Sequence, residues 1–471
     1  MAPACSHEHL RLDVSPHAAQ AGFQRPPLAK RRAATTPSGR ATGSRNDITR
    51  HIELEALFPG PLVLPGDDLA LDPKQSPQSL RSWTMDKQRN PVTQERKTIY
   101  FASVPHISFE TGMPVANFWT IPSKVATSSP PKAEQVRAYL EAFYHPLPVK
   151  LFAEPVRFVA WRDKKKRVSF DHIGLQIGDG VTRITTRPCP DRTFFRQLNL
   201  NDMLDAAIEA LPADAYALVM LVDPDLYEDD DDEFCCGRAY GNSRVAIVST
   251  ARYDPLLDRK TRVDSDHGAW PLSHCETYVQ RLCKETAGGE TGSSSKSRKS
   301  TADATQPSST DTSITEAELR MAQVIKAALS SNPTITPSGP SPSDDEGTSV
   351  STLWLSRVAR AVAHELGHCF CLDHCAYYAC AMQGTASVRE DLRQPPYLCP
   401  VCLAKLARAV RDVYPLFVEA GWMVERYRKL QGFCELWEGR RGGGMFAAFR
   451  CWLEMRIQML MGNTSSCAVK K

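Results

Sequence analysis

The stretch HELGHCFCLDH, residues 364–374, carries three histidines and one glutamate at spacings that suit a metal ion. On an α-helix, His364 and His368 lie four residues apart on one face, so both imidazoles can reach the same metal. Glu365 lies beside them and is free to handle protons. His374, six positions after His368, completes a set of three nitrogen ligands and leaves one coordination position open for water. The stretch therefore predicts a catalytic zinc site.

The residues before this stretch predict the helix that the motif requires. Apolar residues recur at helical spacing and give one face that can anchor the segment in a core: Leu355, Val358, Ala359, Val362 and Leu366. Ser351 or Thr352 is the expected N-cap. A HExxH pattern alone also fits a structural helix with surface histidines, and the third histidine favours the metal site over that alternative.

Four cysteines follow the histidines in a CxxxxC pair and a CxxC pair: Cys375, Cys380, Cys399 and Cys402. Four thiolates at such spacings can close a tetrahedral site without an open position, which indicates a structural zinc ion rather than a catalytic one. Met382 lies between the two pairs. Zinc peptidases with a third downstream histidine have the methionine of their Met-turn at this place, as an apolar floor beneath the metal.

From His364 to Cys402 the chain resembles the archaemetzincins, a branch of the metzincin zinc peptidases. The resemblance implies two zinc ions, one catalytic and one structural. It assigns the catalytic ligands to His364, His368 and His374, and the ligands of the second zinc to Cys375, Cys380, Cys399 and Cys402. It also implies that Glu365 is the general base and Met382 the Met-turn residue.

The resemblance continues upstream in residues 131–151, 187–200, 216–227 and 245–253. It implies an α/β, metzincin-like catalytic domain, in which a twisted mixed sheet forms the upper half of a cleft and the zinc-binding active-site helix forms its floor. The residue patterns independently alternate between strand and helix, which favours an α/β layer structure. The strands are expected at 157–160, 169–177, 217–222 and 245–249, and an amphipathic helix at 200–211.

Two positions leave alternatives open. Residues 245–249 are either the edge strand that binds an extended substrate through its backbone or an ordinary buried strand. Cys371 stands where the family has a glycine, at a sharp turn out of the active-site helix, and a left-handed backbone costs a residue with a Cβ about 1 kcal/mol or more. Cys371 either accepts that cost, sits in a turn built differently, or adds a thiolate to the catalytic metal.

Composition divides the chain of 471 residues into three parts. Residues 1–95 are rich in Pro, Arg and Ser and are expected to form a mostly disordered N-terminal tail. Residues 96–434 form the expected zinc metallopeptidase domain, interrupted by a low-complexity insertion at about 286–350 that contains a helix at 314–330. Residues 435–471 form an expected helical tail, which packs on the domain, lies free or mediates association.

The expected function is a zinc metallopeptidase that hydrolyses peptide bonds, with zinc-activated water and Glu365 as general base. The alternative is a catalytically weak or inactive zinc-binding scaffold or interaction protein. The expected substrate is a peptide or protein. A net charge of +3 does not indicate nucleic-acid binding, and no run is apolar enough for a membrane span. The oligomeric state stays open.

The remaining features carry less information. The chain has 15 cysteines, and those outside the predicted zinc site lack a pairing pattern, which favours a reducing, intracellular location in the cytoplasm or nucleus. Other histidines, such as His267 and His274, lack metal-like spacing and are expected to pack in the core or at the surface. The acidic run at 228–233 is either a solvated loop or a calcium site. Tyr377 or Tyr378 either stabilises an oxyanion or packs beside the cysteine zinc.

Overall fold

The computed structural model describes residues 5, 7, 9–41, 57–103, 106–107, 130–162, 168–264, 266–287, 316–331, 345–414, 418–437, 440 and 442–467. Its strands are β1 (Thr98–Ala102), β2 (His106–Ile107), β3 (Val149–Leu151), β4 (Val156–Arg162), β5 (Val168–Ile177), β6 (Gly180–Pro188), β7 (Arg196–Asn199), β8 (Ala215–Val222), β9 (Leu226–Tyr227), β10 (Gly237–Tyr240) and β11 (Val245–Ser249). Its α-helices are α1 (His17–Ala21), α2 (Leu28–Ala34), α3 (Asp68–Leu71), α4 (Leu80–Met85), α5 (Ala133–Phe143), α6 (Leu200–Glu209), α7 (Asp258–Thr261), α8 (Glu276–Ala287), α9 (Glu316–Ser331), α10 (Asp345–Cys369), α11 (Val388–Leu392), α12 (Pro400–Arg411), α13 (Glu419–Glu435) and α14 (Gly444–Cys467). The alternation of strands and helices confirms the predicted α/β class.

A five-stranded mixed sheet forms the centre of the molecule, with the strand order β10-β11-β8-β1-β3. Strands β1, β3, β8 and β11 run parallel, and β10 pairs antiparallel with β11. Every residue of β8 is buried, as expected for a strand covered on both faces. Its residues Ala217, Val219 and Leu221 pack toward α10. Its residues Leu218, Met220 and Val222 pack toward α6 on the opposite face.

A second sheet has the order β2-β4-β5-β6-β7-β9. Strands β4 to β7 form an antiparallel ladder, and β2 and β9 pair in parallel with β4 and β7. Phe158, Ile173 and Ile184 of this sheet share a core with Leu200 and Leu204 of α6. Helix α6 therefore lies between the two sheets. The strands predicted at 157–160, 169–177, 217–222 and 245–249 are confirmed by β4, β5, β8 and β11.

Helices cover the other face of the central sheet. Helix α10 packs against β11 and β8 and also against α5, while α13 packs on α5 and α14. Helix α14 packs on α9, and its residues Phe446, Phe449 and Trp452 are fully buried. The C-terminal helix therefore packs on the domain. No helix in the described ranges has both the length and the apolar character to cross a membrane.

The predicted insertion is described only in part. Helix α9 (Glu316–Ser331) confirms the helix predicted at 314–330. Residues 288–315 and 332–344 lie outside the described residues. Helix α10 begins at Asp345, earlier than the predicted N-cap at Ser351 or Thr352. The sequence at this start is Asp345-Glu346, and acidic residues in a first turn favour a helix N-terminus through the helix dipole.

The N-terminal region differs from the expected disordered tail over the residues that the structure describes. Ranges 9–41 and 57–95 contain the short helices α1 to α4. Leu57, Phe58, Leu80 and Trp83 are at most 4% exposed and belong to the main core. Most buried side chains of the region share apolar surface with later parts of the chain, while Ala18, Phe23, Val63 and Leu69 form a small cluster with Ala376.

Candidate active site

Helix α10 brings two of the predicted histidines and the glutamate to one cleft. Its apolar residues Leu355, Val358 and Val362 are at most 1% exposed and join the core under the central sheet. His364, Glu365 and His368 line a cleft of about 910 Å³ together with His374 and residues 237–241. The amphipathic pattern of the helix thus fixes the direction in which the histidines point.

The three histidines converge, and backbone carbonyls orient two of them. His364 Nδ1 donates to the carbonyl of Ala381, and His368 Nδ1 donates to the carbonyl of Leu372, both at 2.7 Å. These bonds fix the tautomer, because a carbonyl oxygen only accepts, and they leave each Nε2 lone pair free. The two Nε2 atoms are 3.1 Å apart. One ring nitrogen of each histidine, His374 included, lies within 4.8 Å of the others.

The environment of the histidines favours the neutral form that a metal requires. Burial lowers the pKa of His364 to about 3 and lowers that of His368 well below its ordinary value. Burial also lowers the pKa of His374. Because a ligating imidazole must be unprotonated, this pocket holds the three side chains ready for a cation.

Glu365 lies between the histidines and strand β10. Burial raises the pKa of its carboxyl to about 8, although Arg238 and a hydrogen bond from the backbone of Ala239 act in the opposite direction. Arg238 also pairs with Glu228 at the same side of the cleft. Such a raised carboxyl pKa is typical of groups that exchange protons in a reaction.

The turn after α10 has the left-handed backbone that the glycine of the family pattern would supply. Cys371 has φ of 55°, and its N–H donates to the carbonyl of His368 at 2.8 Å. Its side chain is half-buried. The metal-ligand groups found among the described residues do not include Cys371. Cys371 therefore takes the conformation expected of a glycine, at the cost of a positive φ.

Side chains of the N-terminal region and of β8 donate hydrogen bonds to the backbone carbonyls at the C-terminal end of α10. The pairs are Tyr216 Oη to Cys369 O at 3.1 Å, Trp83 Nε1 to Phe370 O at 2.8 Å, and Gln78 Nε2 to Cys371 O at 3.0 Å. The last carbonyls of a helix lack partners within the helix, and a buried one needs a donor from elsewhere. Sequence analysis missed Gln78 and Trp83, whose only signal was an apolar Trp in a polar segment.

Met382 lies directly beneath the active-site helix. Its side chain is fully buried, and a Cβ added at Gly367 would collide with its sulfur atom. The glycine of the HELGH motif therefore makes room for the methionine. The backbone of Met382 also accepts a hydrogen bond from the N–H of Cys375 at 2.7 Å. This contact links the segment under the histidines to the cysteine cluster.

The four predicted cysteines meet in one buried cluster. Cys375, Cys380, Cys399 and Cys402 are at most 3% exposed, and their sulfur atoms all lie within 4.8 Å of one another. The sulfur atoms of Cys375 and Cys399 are 3.6 Å apart, which is too long for a disulfide. The N–H of Cys399 donates to Cys380 Sγ at 3.2 Å. Hydrogen bonds from the neighbouring thiols lower the pKa of Cys375.

Strand β10, which sequence analysis did not predict, is the edge strand over the cleft. Of the two alternatives for residues 245–249, the buried strand is the one observed, because β11 lies between β10 and β8. A Cβ at Gly241, directly after β10, would collide with the carbonyl oxygen of His368. Glycine thus allows β10 to approach the helix closely. Gly237 and Gly241 at its two ends were the available sequence signal.

Tyr377 and Tyr378 lie outside the cleft, and of the acidic run at 228–233 only Glu233 lines it. Tyr377 donates to the carbonyl of Pro77 at 3.2 Å, and Tyr378 is 1% exposed under Arg25. Both pack near the cysteine cluster, so neither is placed to stabilise an oxyanion.

In the acidic run, the carbonyls of Asp229 and Asp230 accept hydrogen bonds from Arg187. Of the two alternatives for that run, this arrangement favours the loop.

The chain is similar to known proteins over much of its length. A family model described as peptidase family M54 matches residues 345–408. Human archaemetzincin-2 is 25% identical over 373 residues, which cover 79% of this chain and 73% of that protein. Archaemetzincin-2 of Macaca fascicularis is 40% identical over 81 residues, or 17% of this chain and 20% of that protein. Mouse archaemetzincin-1 is 33% identical over 98 residues, or 20% and 18% of the two chains.

Among solved structures, the crystal structure of archaemetzincin from Methanopyrus kandleri aligns with a TM-score of 0.28 and 14% identity, covering 67% of this chain and 97% of that one. The family model covers the histidine stretch and the four cysteines, and the human relative extends the match over most of the chain. Residues 345–408 therefore match peptidase family M54, the chain is similar to the archaemetzincins over most of its length, and it is a zinc-dependent metallopeptidase.

Proposed function

We propose that this chain hydrolyses peptide bonds with a zinc ion held by His364, His368 and His374, and with Glu365 as general base. One observation carries the proposal. Three imidazoles whose ring nitrogens converge to within 4.8 Å line the same cleft as a carboxyl group with a raised pKa. Three nitrogen ligands and an open fourth position are typical of catalytic rather than structural zinc.

The residues fit a zinc ion by their donor chemistry. The carbonyls of Ala381 and Leu372 orient two of the imidazoles through Nδ1, the arrangement usual for histidines that bind metal through Nε2. When bound, zinc activates water for attack near neutral pH and polarises the scissile carbonyl. Glu365 accepts the proton of that water and delivers it to the leaving amine.

The substrate is an extended peptide segment that adds to the free edge of β10. Strand β10 is the last strand of the central sheet on the cleft side, so its outer backbone groups face the cleft rather than another strand of that sheet. Backbone pairing binds an extended chain with little demand on its side chains. Arg238 on this strand lies near Glu365 and is already paired with Glu228, so its charge gives no preference for acidic substrates.

The cysteine cluster holds a second, structural zinc ion in this proposal. Four buried sulfur ligands leave no position for water, and the cluster joins the segment under the histidines to α12. The alternative of an inactive scaffold rests on Cys371 at the turn after the helix and on the long tails of the chain. The backbone of Cys371 already has the required turn, and Glu365 is a group that metal binding alone does not need.

Zinc analysis combined with a cleavage assay tests the proposal. The double variant His364→Ala, His368→Ala is expected to hold one zinc ion fewer per chain than the wild type, and its peptide cleavage is expected to fall to background. His172→Ala, on β5 outside the cleft, is the matched control and is expected to change neither quantity. Unchanged zinc content and cleavage in the double variant would refute the assignment.

A further inference from the structure

A third group of metal-ligand side chains lies outside the active-site cleft. It consists of Cys5, His7, His267 and Cys275, and one ligand atom of each lies within 4.8 Å of the others. His267 and Cys275 are buried, and Cys5 and His7 are half-buried. The four residues come from two chain segments about 260 positions apart, so they do not form a short sequence motif.

The ring nitrogens of the two histidines are arranged like those of metal ligands. The Nδ1 atom of His267 lies 3.5 Å from Asp264 Oδ1, while its buried Nε2 atom makes no well-aligned hydrogen bond and the Cys5 thiol lies close to the ring. The Nε2 atom of His7 is likewise buried without a partner. A carboxylate on one ring nitrogen with the other nitrogen left free is the usual arrangement around a ligating histidine.

Packing alone does not account for this group. The two imidazoles stack with centroids 4.9 Å apart and an angle of 6°, and His267 also stacks on Tyr278 at 4.8 Å. Such stacking packs the faces of the rings but provides no hydrogen bond for the two buried Nε2 atoms, and burying a polar atom without a partner destabilises the fold. The thiols of Cys5 and Cys275 stand close to the same atoms. A cation bound by all four would satisfy both nitrogens at once.

We propose that Cys5, His7, His267 and Cys275 bind a structural zinc ion. Two thiolates and two imidazoles form a closed tetrahedral set, and this combination of soft sulfur and imidazole ligands selects zinc among the common divalent cations. The carboxylate of Asp264 lies 3.5 Å from Nδ1 of His267 and orients its ring. The site lies outside the cleft, and its existence does not depend on the proposed peptidase chemistry.

This zinc ion fastens the N-terminal segment to the catalytic domain. Next to the cluster, Arg11 N–H donates to His274 O at 2.7 Å, and Glu276 N–H donates to His9 O at 2.9 Å. Arg11 also pairs with Glu276 at 3.0 Å. Leu10 is also buried in the main core and forms an antiparallel bridge with Cys275. A metal that closes so long a loop adds to these contacts mainly by restricting the unfolded chain.

The proposed third zinc ion lies at the start of a segment that packs near the cysteine cluster. Beyond it, Arg25 donates to the carbonyl of Tyr377 at 3.2 Å, next to the cysteine cluster, and Gly60 N–H donates to Leu12 O at 2.9 Å. The segment that the third zinc ion anchors thus runs over the part of the domain that contains the cysteine cluster. Loss of this zinc is expected to free the segment at its start.

A pair of double variants of the full chain tests the site. Cys5→Ala, His7→Ala is expected to hold one zinc ion fewer per chain than the wild type, measured by mass spectrometry of the metal in desalted protein. Its N-terminal segment is expected to be cut by trypsin about tenfold faster, because the segment opens more often. The control Cys283→Ala, His9→Ala removes the same residue types nearby, outside the cluster, and is expected to keep the wild-type zinc content.

Two further measurements keep the test decisive. His7→Cys retains a soft ligand and is expected to keep the zinc ion even if the double alanine variant folds poorly. Alkylation of the wild type is expected to modify Cys5 only after chelation. Unchanged zinc in Cys5→Ala, His7→Ala, or a Cys5–Cys275 disulfide in the purified chain, would overturn the site. Either result leaves the zinc lost from His364→Ala, His368→Ala unaffected, so failure here is distinct from failure of the peptidase proposal.

Discussion

Cys371 is the residue at which this chain departs from the family pattern, and its backbone gives a direct prediction. With φ of 55°, Cys371 lies in a region that costs a residue with a Cβ about 1 kcal/mol relative to glycine. Cys371→Gly is therefore expected to raise the free energy of unfolding by about 1 kcal/mol, measured by urea denaturation, with zinc content unchanged.

Cys371→Ala is the control that separates the backbone from the thiol. It keeps the Cβ and the strain but removes the sulfur, so its stability is expected to stay within about 0.5 kcal/mol of the wild type. A loss of one zinc ion in both the glycine and the alanine variant would contradict this account, because it would identify the thiol as a ligand of the metal.

At the scale of the element, the C-terminal end of α10 depends on a side chain from the N-terminal region. Trp83 is 1% exposed and donates to the carbonyl of Phe370 at 2.8 Å. Trp83→Phe leaves this buried carbonyl without a donor and is expected to lower the free energy of unfolding by about 1–3 kcal/mol beyond the loss of ring volume.

Trp270→Phe is the matched comparison for Trp83→Phe. Trp270 is 2% exposed, and its indole N–H is buried without a hydrogen-bond partner. The same change of ring therefore removes no hydrogen bond there. Equal losses of stability in the two variants, measured by urea denaturation, would show that the bond to Phe370 contributes nothing.

The elements that the sequence predicted well share a strong local pattern. The apolar repeat from Leu355 to Leu366 predicted the body of α10, and the continuous apolar run at 217–222 predicted β8. Strand β10 has no such pattern, since Gly237–Tyr240 is four residues long and forms by pairing with β11. Tertiary pairing decides such a strand, and local propensity does not.

Across the whole molecule, sites built from residues close together in sequence could be predicted, whereas contacts between residues far apart in sequence could not. The histidines and the first two cysteines lie within 17 residues, so their spacing alone suggested ligand groups. Gln78 and Trp83 reach the same site from almost 300 positions away. Cys5 and His7 meet His267 and Cys275 over a similar separation. One sequence without an alignment carries no signal for such pairs.

The N-terminal region shows the same effect on a larger scale. Its Pro-rich, Arg-rich composition predicted disorder, yet the described parts of residues 9–95 contribute to the main core and to the turn after α10. Composition measures whether a segment can fold by itself. It does not measure how much apolar surface a neighbouring domain offers, and here that surface decides the outcome.

We propose that Glu365 performs the proton transfer of peptide hydrolysis in the histidine cleft. The most direct measurement is the rate of peptide-library cleavage by Glu365→Gln and by the wild type at equal zinc content. Glu365→Gln is expected to cleave the peptides at least about 100-fold more slowly, because the amide cannot accept the proton. The control Glu209→Gln, exposed at the end of α6, is expected to cleave like the wild type. Equal rates for Glu365→Gln and the wild type would contradict the claim.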